Sequence, residues 1–544
     1  MQRQRRLLNV GVVGLAVSTL VLTGCSSPNN DKGSEPEGTQ GGEAVYAIDT
    51  PLNRLDPNSA GAAQDARVFR QAFDNLVALQ DGKFYPYLAK SWEISPDGKE
   101  YTFKLRDDVT FWDDSKFNAE AVCFNFDRIK DPATTSYYAV TLLGPYASCT
   151  AKDETTAVVT LGAPYAPFLS VLSSPFLGMV SPTAAKAVPV EDFVLKPVGS
   201  GPFIIESYVP QDRVVMVANE KYNWGPENAT HQGRAYLDKL TIQIVSDATV
   251  RLGSVQAGQV QAIGNVPEVN AQMVKDDASL NYYSQAQSGS PFQLNFNTSR
   301  APFNDLKVRE AVRLGFDVET AVKTLYLGTY PRAWTALSPT TRGYDKSLEG
   351  SFKYDKAAAE KMLDDAGWKM GSDGFRAKDG KRLTLVYIEG AVNREKRQDI
   401  AEFFKANMKE IGVDVDIKLG QTAEIQSALQ NADYDIAGLS FVNVDANMMQ
   451  ALYSPQFMAS PGKNGQNFSR VDDAKLAKTL LDAQQEQDQS KRDKLYAEAQ
   501  KMVIDLALSV GVYVPSYTMA TKGITGLRFD TEGYPVWYDV SLAK

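Results

Sequence analysis

Three cysteines, a single histidine and one Gly-Ser-Gly step are the first places to look for chemistry in this chain of 544 residues. Cys25 ends an apolar run at Leu22-Thr23-Gly24-Cys25. A thiol placed there can carry a lipid as a thioether, and a cut just before it frees an amine for another chain. Stable anchoring needs two or more chains, because one alone binds a membrane only marginally. Cys123 and Cys149 are the other two thiols. In an oxidising compartment two cysteines tend to pair. The link would close a loop of about 27 residues and contribute ~3 kcal/mol in the chain-entropy picture. Two buried free thiols are the other arrangement. His231, in the polar stretch WGPENATHQG, is expected to be a solvated loop residue. A histidine metal site or a Ser-His-Asp triad needs a placed imidazole with partners. Gly199-Ser200-Gly201 lacks the spacing of a nucleophile elbow and runs into Pro202. No Walker loop and no His-Glu-x-x-His motif occurs, and the carboxylates are scattered. No catalytic residue, metal or cofactor is expected.

The segment before Cys25 explains its position. Arg3, Arg5 and Arg6 form a positive start, and Leu7 to Leu22 is an apolar run broken only by Asn9, Ser18 and Thr19. The run is short for a membrane span, which needs ~20 apolar residues. A positive start, apolar middle and small-residue end are the anatomy of a secretory signal. Its last four residues resemble the lipobox of bacterial lipoproteins. Residues 1–24 are therefore expected to be a leader, and Cys25 a lipidated anchor. Residues 25–43, SSPNNDKGSEPEGTQGGE after the cysteine, cannot bury enough apolar surface to offset ordering entropy and read as a tether. The expected location is the extracytoplasmic face of a membrane, or a periplasm.

Composition narrows the rest. Apolar residues make up 43% of the chain, ample for a globular core of two to four domains. Losing the three leader arginines takes the net charge from −9 to −12. With no basic cluster left, nucleic acid and electrostatic membrane binding are disfavoured.

The elements that would position a site alternate. Period-2 patterns predict strands at EAVYAID, YTFKLRDD, KLTIQIVSD and VDVDIKL. Helices are predicted at NDLKVREAVRLGFD, capped by Asp305, at YDKAAAEKMLDDAGW, at DIAEFFKANMKEIGV, and at SKRDKLYAEAQKMVIDL. The last should bury Leu495, Ala499, Met502, Val503 and Leu506. Strands interleaved with helices mean an α/β protein. Loops at 195–203, 287–292 and 509–515 are candidate passages between domains.

Several segments together resemble the extracellular solute-binding proteins of peptide/nickel-type ABC transporters. They are Leu55-Asp56-Pro57, residues 73–114, Val198-Gly199-Ser200-Gly201-Pro202-Phe203, SDATVRLGSVQAGQV, LNFNTSRAPFNDLKVREAV and the helix at 354–368. The resemblance implies a two-lobed periplasmic-binding-protein fold, class II-like, with an extra subdomain and a hinge. It places lobe I at 44–80, 198–290 and 511–544, an inserted subdomain at 81–197, and lobe II at 291–510. It further implies a monomeric receptor that closes on a peptide between its lobes and hands it to an ABC permease and its ATPase subunits. A nickel chelate or other small organic solute is the alternative ligand. A secreted hydrolase, or a surface chaperone for unfolded chains, would be a different class.

Family peptide binders hold the ligand's amino group with an aspartate and its carboxylate with an arginine. The aspartate position matches Val442 in GLSFVNVDAN, and the arginine position matches Ala391, with Arg394 nearby. Both charge anchors look absent or displaced. The candidate ligand residues are Tyr46, Asp49, Asn295, Asn297, Trp334, Tyr387, Glu389, Phe441, Asn443 and Asp445. Glu389 and Asp445 are the carboxylates expected to meet a cationic group. Of Asn295 and Asn297, one is expected to face the cleft and the other the core or a turn.

Overall fold

The structure is a computed structural model that describes residues 38–543. Cys25, the leader and most of the tether lie outside the described residues. Among the described residues, no helix is long and apolar enough to cross a membrane.

Two large sheets organise the chain. The first has seven strands, ordered Asn281–Ala286, Ser516–Thr521, Ala262–Gly264, Glu43–Ile48, Lys239–Ile244, Arg213–Ala218 and Phe203–Val209. Glu43–Ile48 is central and runs parallel to both neighbours. That is why its side chains are buried on both faces from Tyr46 onward. The second has five strands, ordered Asp414–Gly420, Thr384–Gly390, Ile436–Val442, Gly289–Phe296 and Ser509–Tyr513. The chain passes between the two sheets at 287–288 and again at 514–515. Strand Ser509–Tyr513 thus pairs in the second sheet, a few residues beyond the expected boundary at 510. A four-stranded antiparallel sheet, Ala89–Ile94, Glu100–Leu105, Thr156–Leu161 and Tyr146–Asp153, forms the body of the insertion. Its apolar side chains Tyr101, Phe103 and Val159 join one continuous core with Tyr46 and Phe69 of the first lobe. The second lobe has a core of its own around Phe292, Tyr387 and Phe404. Cys123, on helix Ala119–Lys130, is joined to Cys149 of the neighbouring strand by a disulfide with Cα atoms 5.0 Å apart.

The local reasons are visible in the helices. Asp305 caps Leu306–Leu314 by accepting from the Lys307 amide, and Val308, Ala311 and Val312 are buried, as their spacing predicts. Helix Gln489–Asp505 departs from its predicted face. It buries Arg492, Tyr496, Ala499, Gln500 and Val503, while Leu495 and Met502 are only partly covered. Polar partners turn the helix: Arg492 pairs with Asp445, and Gln500 donates to the Gly343 carbonyl at 2.7 Å.

The Gly-Ser-Gly step is a packing device. A Cβ on Gly199 would lie 2.3 Å from the Ala72 carbonyl oxygen, and one on Gly201 would lie 2.5 Å from the Ala72 carbonyl carbon. Only glycine lets this loop press on the end of helix Ala63–Ala72. Ser200 between them donates to Asp74 at 2.8 Å, and Trp224 donates to the same carboxylate oxygen at 2.9 Å. His231 also differs from expectation. It is sandwiched between Tyr236 and Tyr538 at 4.1 and 4.3 Å, with Nδ1 3.0 Å from Asp539. Stacking, which local sequence does not report, leaves its side chain only 13% exposed.

Candidate functional site: an inter-lobe cleft with a second chamber

The two crossing segments form the floor of a cavity of about 330 Å³ between the sheets. Gln287, Ser288 and Pro515 line it from the crossings. From the first lobe come residues 61–64, at the start of helix Ala63–Ala72, together with Tyr534. That helix has no side-chain N-cap, and Asp65 in its first turn is buried. From the second lobe come Arg394 and the strand end Ser440-Phe441-Val442. The insertion adds Tyr138 and Phe176.

A larger chamber of about 900 Å³ adjoins this cavity. Its walls are the insertion, through Tyr137, Tyr138, Tyr165 and Val171, and the second lobe, through Leu439, Met448 and Phe457. Tyr138 and Phe441 line both spaces, with their rings edge to face at 5.7 Å. Tyr138 also reaches across the lobes. Its hydroxyl donates to the Val442 carbonyl at 2.9 Å and accepts from Asn443 Nδ2 at 3.1 Å.

Of the candidate ligand residues, Phe441, Asn443 and Asp445 line these spaces. Asp445 is not free for a cation. It is buried and paired with Arg492, and it accepts the Asn447 amide at 2.9 Å. The other seven candidates sit elsewhere. Tyr46 is fully buried, with its hydroxyl bonded to that of Tyr517. Asp49, at the end of the same strand, accepts from Asn265 Nδ2 at 2.8 Å. Asn295 and Asn297 are two residues apart, and both are buried. Asn295 donates to the Ala437 carbonyl at 3.3 Å and Asn297 to that of Tyr434 at 2.9 Å. Neither faces the cleft. Trp334 packs on Arg332 and Phe352, at 4.5 and 6.1 Å. Tyr387 is a core residue beside Phe404.

Glu389 lies near the cleft without lining it. One oxygen accepts the Gly390 amide at 2.9 Å, and the other is buried without a partner. Burial pushes its carboxyl above the usual range. Glu395, by contrast, is held down to about 2 despite its burial, because Arg397 and Arg394 lie beside it. With Arg394 and Arg397 against Glu395, this corner of the second lobe is positive.

Sequence reasoning missed Tyr138, Gln64, Ser440 and Gln450 as lining residues. The adjacent tyrosines at 137 and 138 in a polar stretch are a signal for the first. The others depend on a closure between distant segments.

Two α/β lobes, crossed twice by the chain and enclosing a cavity at the crossings, are the architecture of the two-domain periplasmic binding proteins. The chain matches the bacterial extracellular solute-binding proteins, family 5 middle, over residues 83–466, and it belongs to that family. It is 28% identical over 564 residues to heme-binding protein A of Haemophilus influenzae, covering 97% of this chain and 98% of that protein. It is 28% identical over 500 residues to di/tripeptide-binding protein 1 of Pseudomonas aeruginosa, covering 87% and 89%. Among solved structures it is similar to the periplasmic binding protein DppA of Helicobacter pylori in complex with the peptide STSA. The TM-score there is 0.77 at 25% identity, covering 93% of this chain and 99% of that one. Members of the family are extracytoplasmic solute-binding proteins rather than enzymes, and they work with the permease and ATPase components of ABC importers.

Proposed function

We propose that this protein is the lipid-anchored receptor of an ABC importer for peptides, acylated at Cys25 and held on the outer face of a membrane by a tether that ends before Gly41, whose amide is bonded to the body at the Tyr236 carbonyl. The observation that carries the reading is the cavity at 287–288 and 514–515, where the two lobes meet. A ligand there touches both lobes only when they are closed, and so favours the closed form by its differential affinity. The partly exposed polar side chains of Gln64 and Gln287, and the end of strand Ile436–Val442 at Ser440, suit an extended backbone laid beside that strand. The peptide-binding relatives support the class of ligand. In this reading lobe I comprises 44–80, 198–288 and 514–544, the insertion 81–197, and lobe II 289–513. The anchor keeps the receptor near its permease and raises the effective concentration there.

Native mass spectrometry of the protein freshly purified from its own host tests this. Added masses fitting short peptides are expected. A single discrete non-peptide mass would overturn the peptide reading and leave the receptor reading standing. The mass of the mature chain gives the lipid on Cys25.

A further inference from the structure

Seven arginines are buried among the described residues, and six of them have a partner in the fold. Arg128 pairs with Asp56, Arg376 with Asp364 and Arg492 with Asp445, while Arg251, Arg309 and Arg313 donate to backbone carbonyls. Arg67 is the exception. It is 6% exposed, its Nε is buried without a partner, and among the described residues neither terminal nitrogen makes a hydrogen bond or an ion pair. Its guanidinium lies over the Tyr517 ring, 4.0 Å from the ring centre. Burial works against the charge, and the phenols of Tyr517, Tyr46 and Tyr534 and the carboxylate of Asp49 act for it from a distance. Asp49 is committed elsewhere, accepting from Asn265 Nδ2 at 2.8 Å and from Thr50 at 3.1 Å, and Asp65 accepts the Asn53 amide at 2.8 Å. A buried charge with no partner opposes folding, so its place in the fold needs a reason. The cleft supplies one. Ala63 and Gln64, four and three residues before Arg67 and so on the same face of helix Ala63–Ala72, line the cavity, and so does Tyr534. Arg394, which also lines it, is already paired with Glu395.

We propose that Arg67 is the anchor for the ligand's carboxylate: the carboxyl end of a peptide enters the first-lobe side of the cleft beside Gln64 and Tyr534, and the guanidinium stacked on Tyr517 donates to it. A guanidinium presents paired N–H groups that match the two oxygens of a carboxylate, and burial strengthens such a pair. The anchor then sits on the first lobe, and Ala391 of the second lobe, the position matched to an arginine, needs no charge. This rests on the peptide-receptor reading above and specifies how its ligand is held.

Calorimetric titration of the full mature protein with Ala-Phe, Ala-Ala-Phe and Ala-Ala-Phe-Ala-Ala, each as the free acid and as the C-terminal amide, tests it. The natural chain is expected to bind the acid at least tenfold tighter than the amide. Arg67→Met should bring that ratio to about one, and Arg67→Lys, which keeps the charge but not the paired geometry, should retain part of it. Melting of the ligand-free protein separates this from a structural role: removing a buried charge that has no partner should leave the melting temperature of Arg67→Met as high as that of the natural chain, or higher. An amide that binds the natural chain as tightly as its acid overturns the proposal and leaves the peptide receptor standing, and this comparison needs no variant. The same holds if folded Arg67→Met keeps the preference for the acid. It holds too if that variant melts well below the natural chain, since stacking on Tyr517 would then account for the buried charge. Failure of every peptide to bind the natural chain overturns the peptide reading, and the proposal with it.

Discussion

Glu532 shows how a single residue's burial sets a pH dependence. It is 1% exposed, with Ser174 Oγ at 3.1 Å as its hydrogen-bonding partner. Burial raises its carboxyl to about 8, and the negative charge of Asp530 adds to this, while Arg70 opposes it. In the unfolded chain the same carboxyl ionises near its ordinary value of 4.5. Between these values the folded state holds a proton that the unfolded state has released. The stability it contributes is therefore complete below about pH 4.5 and is lost as pH rises through about 8. Glu532→Gln keeps an acceptor for Ser174 and removes the charge. Its melting temperature should gain on that of the natural chain by a few degrees between pH 5 and pH 8.5. A constant difference across that range would mean that Glu532 ionises normally in the fold. Little of this was legible beforehand. A lone Glu in FDTEGYPVW carries no periodic signal, and its burial comes from packing against residue 174, far along the chain.

Among the elements, helix Ala63–Ala72 links packing to the cleft. Its first turn lines the cavity, and its last residue is pressed by the loop at 199–201. Gly199→Ala would drive a Cβ to 2.3 Å from a backbone oxygen, a contact that no side-chain rotation relieves. Overpacking of this kind costs roughly 1–3 kcal/mol. We expect a lower urea midpoint, and weaker ligand binding in the folded fraction because the helix start moves. An unchanged midpoint would show that the loop can shift at little cost. The elements also show what patterning conveys. Asp305, the stripe at Val308, Ala311 and Val312, and the strand Glu43–Ile48 follow from spacing and capping rules that act within a few residues. Both crossings fall within loops marked by glycine and proline. The buried face of Gln489–Asp505 does not follow, because Arg492 is drawn inward by Asp445 from 47 residues away. The same limit governs the site. Phe441, Asn443 and Asp445 follow from one recognisable stretch, whereas Asn295, Asn297 and Tyr387 have the right residue type on strands whose facing is decided by partners in other segments.

For the whole molecule, closure is the quantity that matters. The lobes are joined by two short crossings, so contacts between them away from the crossings are the first that opening would break. Lys396 Nζ lies 3.3 Å from Glu268 Oε2, linking the second lobe to the first, with the two side chains 33% and 23% exposed. Arg342 of the second lobe donates to the Gly82 carbonyl of the insertion at 3.0 Å. A pair that opening separates adds its free energy to apparent ligand affinity without touching the ligand. A partly exposed ion pair contributes about 0.2–1 kcal/mol, which corresponds to roughly 1.4- to 5-fold in affinity. Glu268→Gln should therefore weaken binding by a factor in that range at low ionic strength. The factor should shrink toward one in ~1 M salt, where the screening length is about 3 Å. Lys396 also donates to the Leu325 carbonyl at 2.8 Å within its own lobe, so it stays ordered when its partner is removed. The melting temperature of the ligand-free protein should change little, because neither lobe's core involves the pair. Calorimetric affinity measured at two salt concentrations, with a melt of the ligand-free form, separates the outcomes. A salt-independent loss of affinity would mean that Glu268 acts by shaping the first lobe. No loss at low salt would mean that the ligand-bound state does not bring Glu268 and Lys396 together.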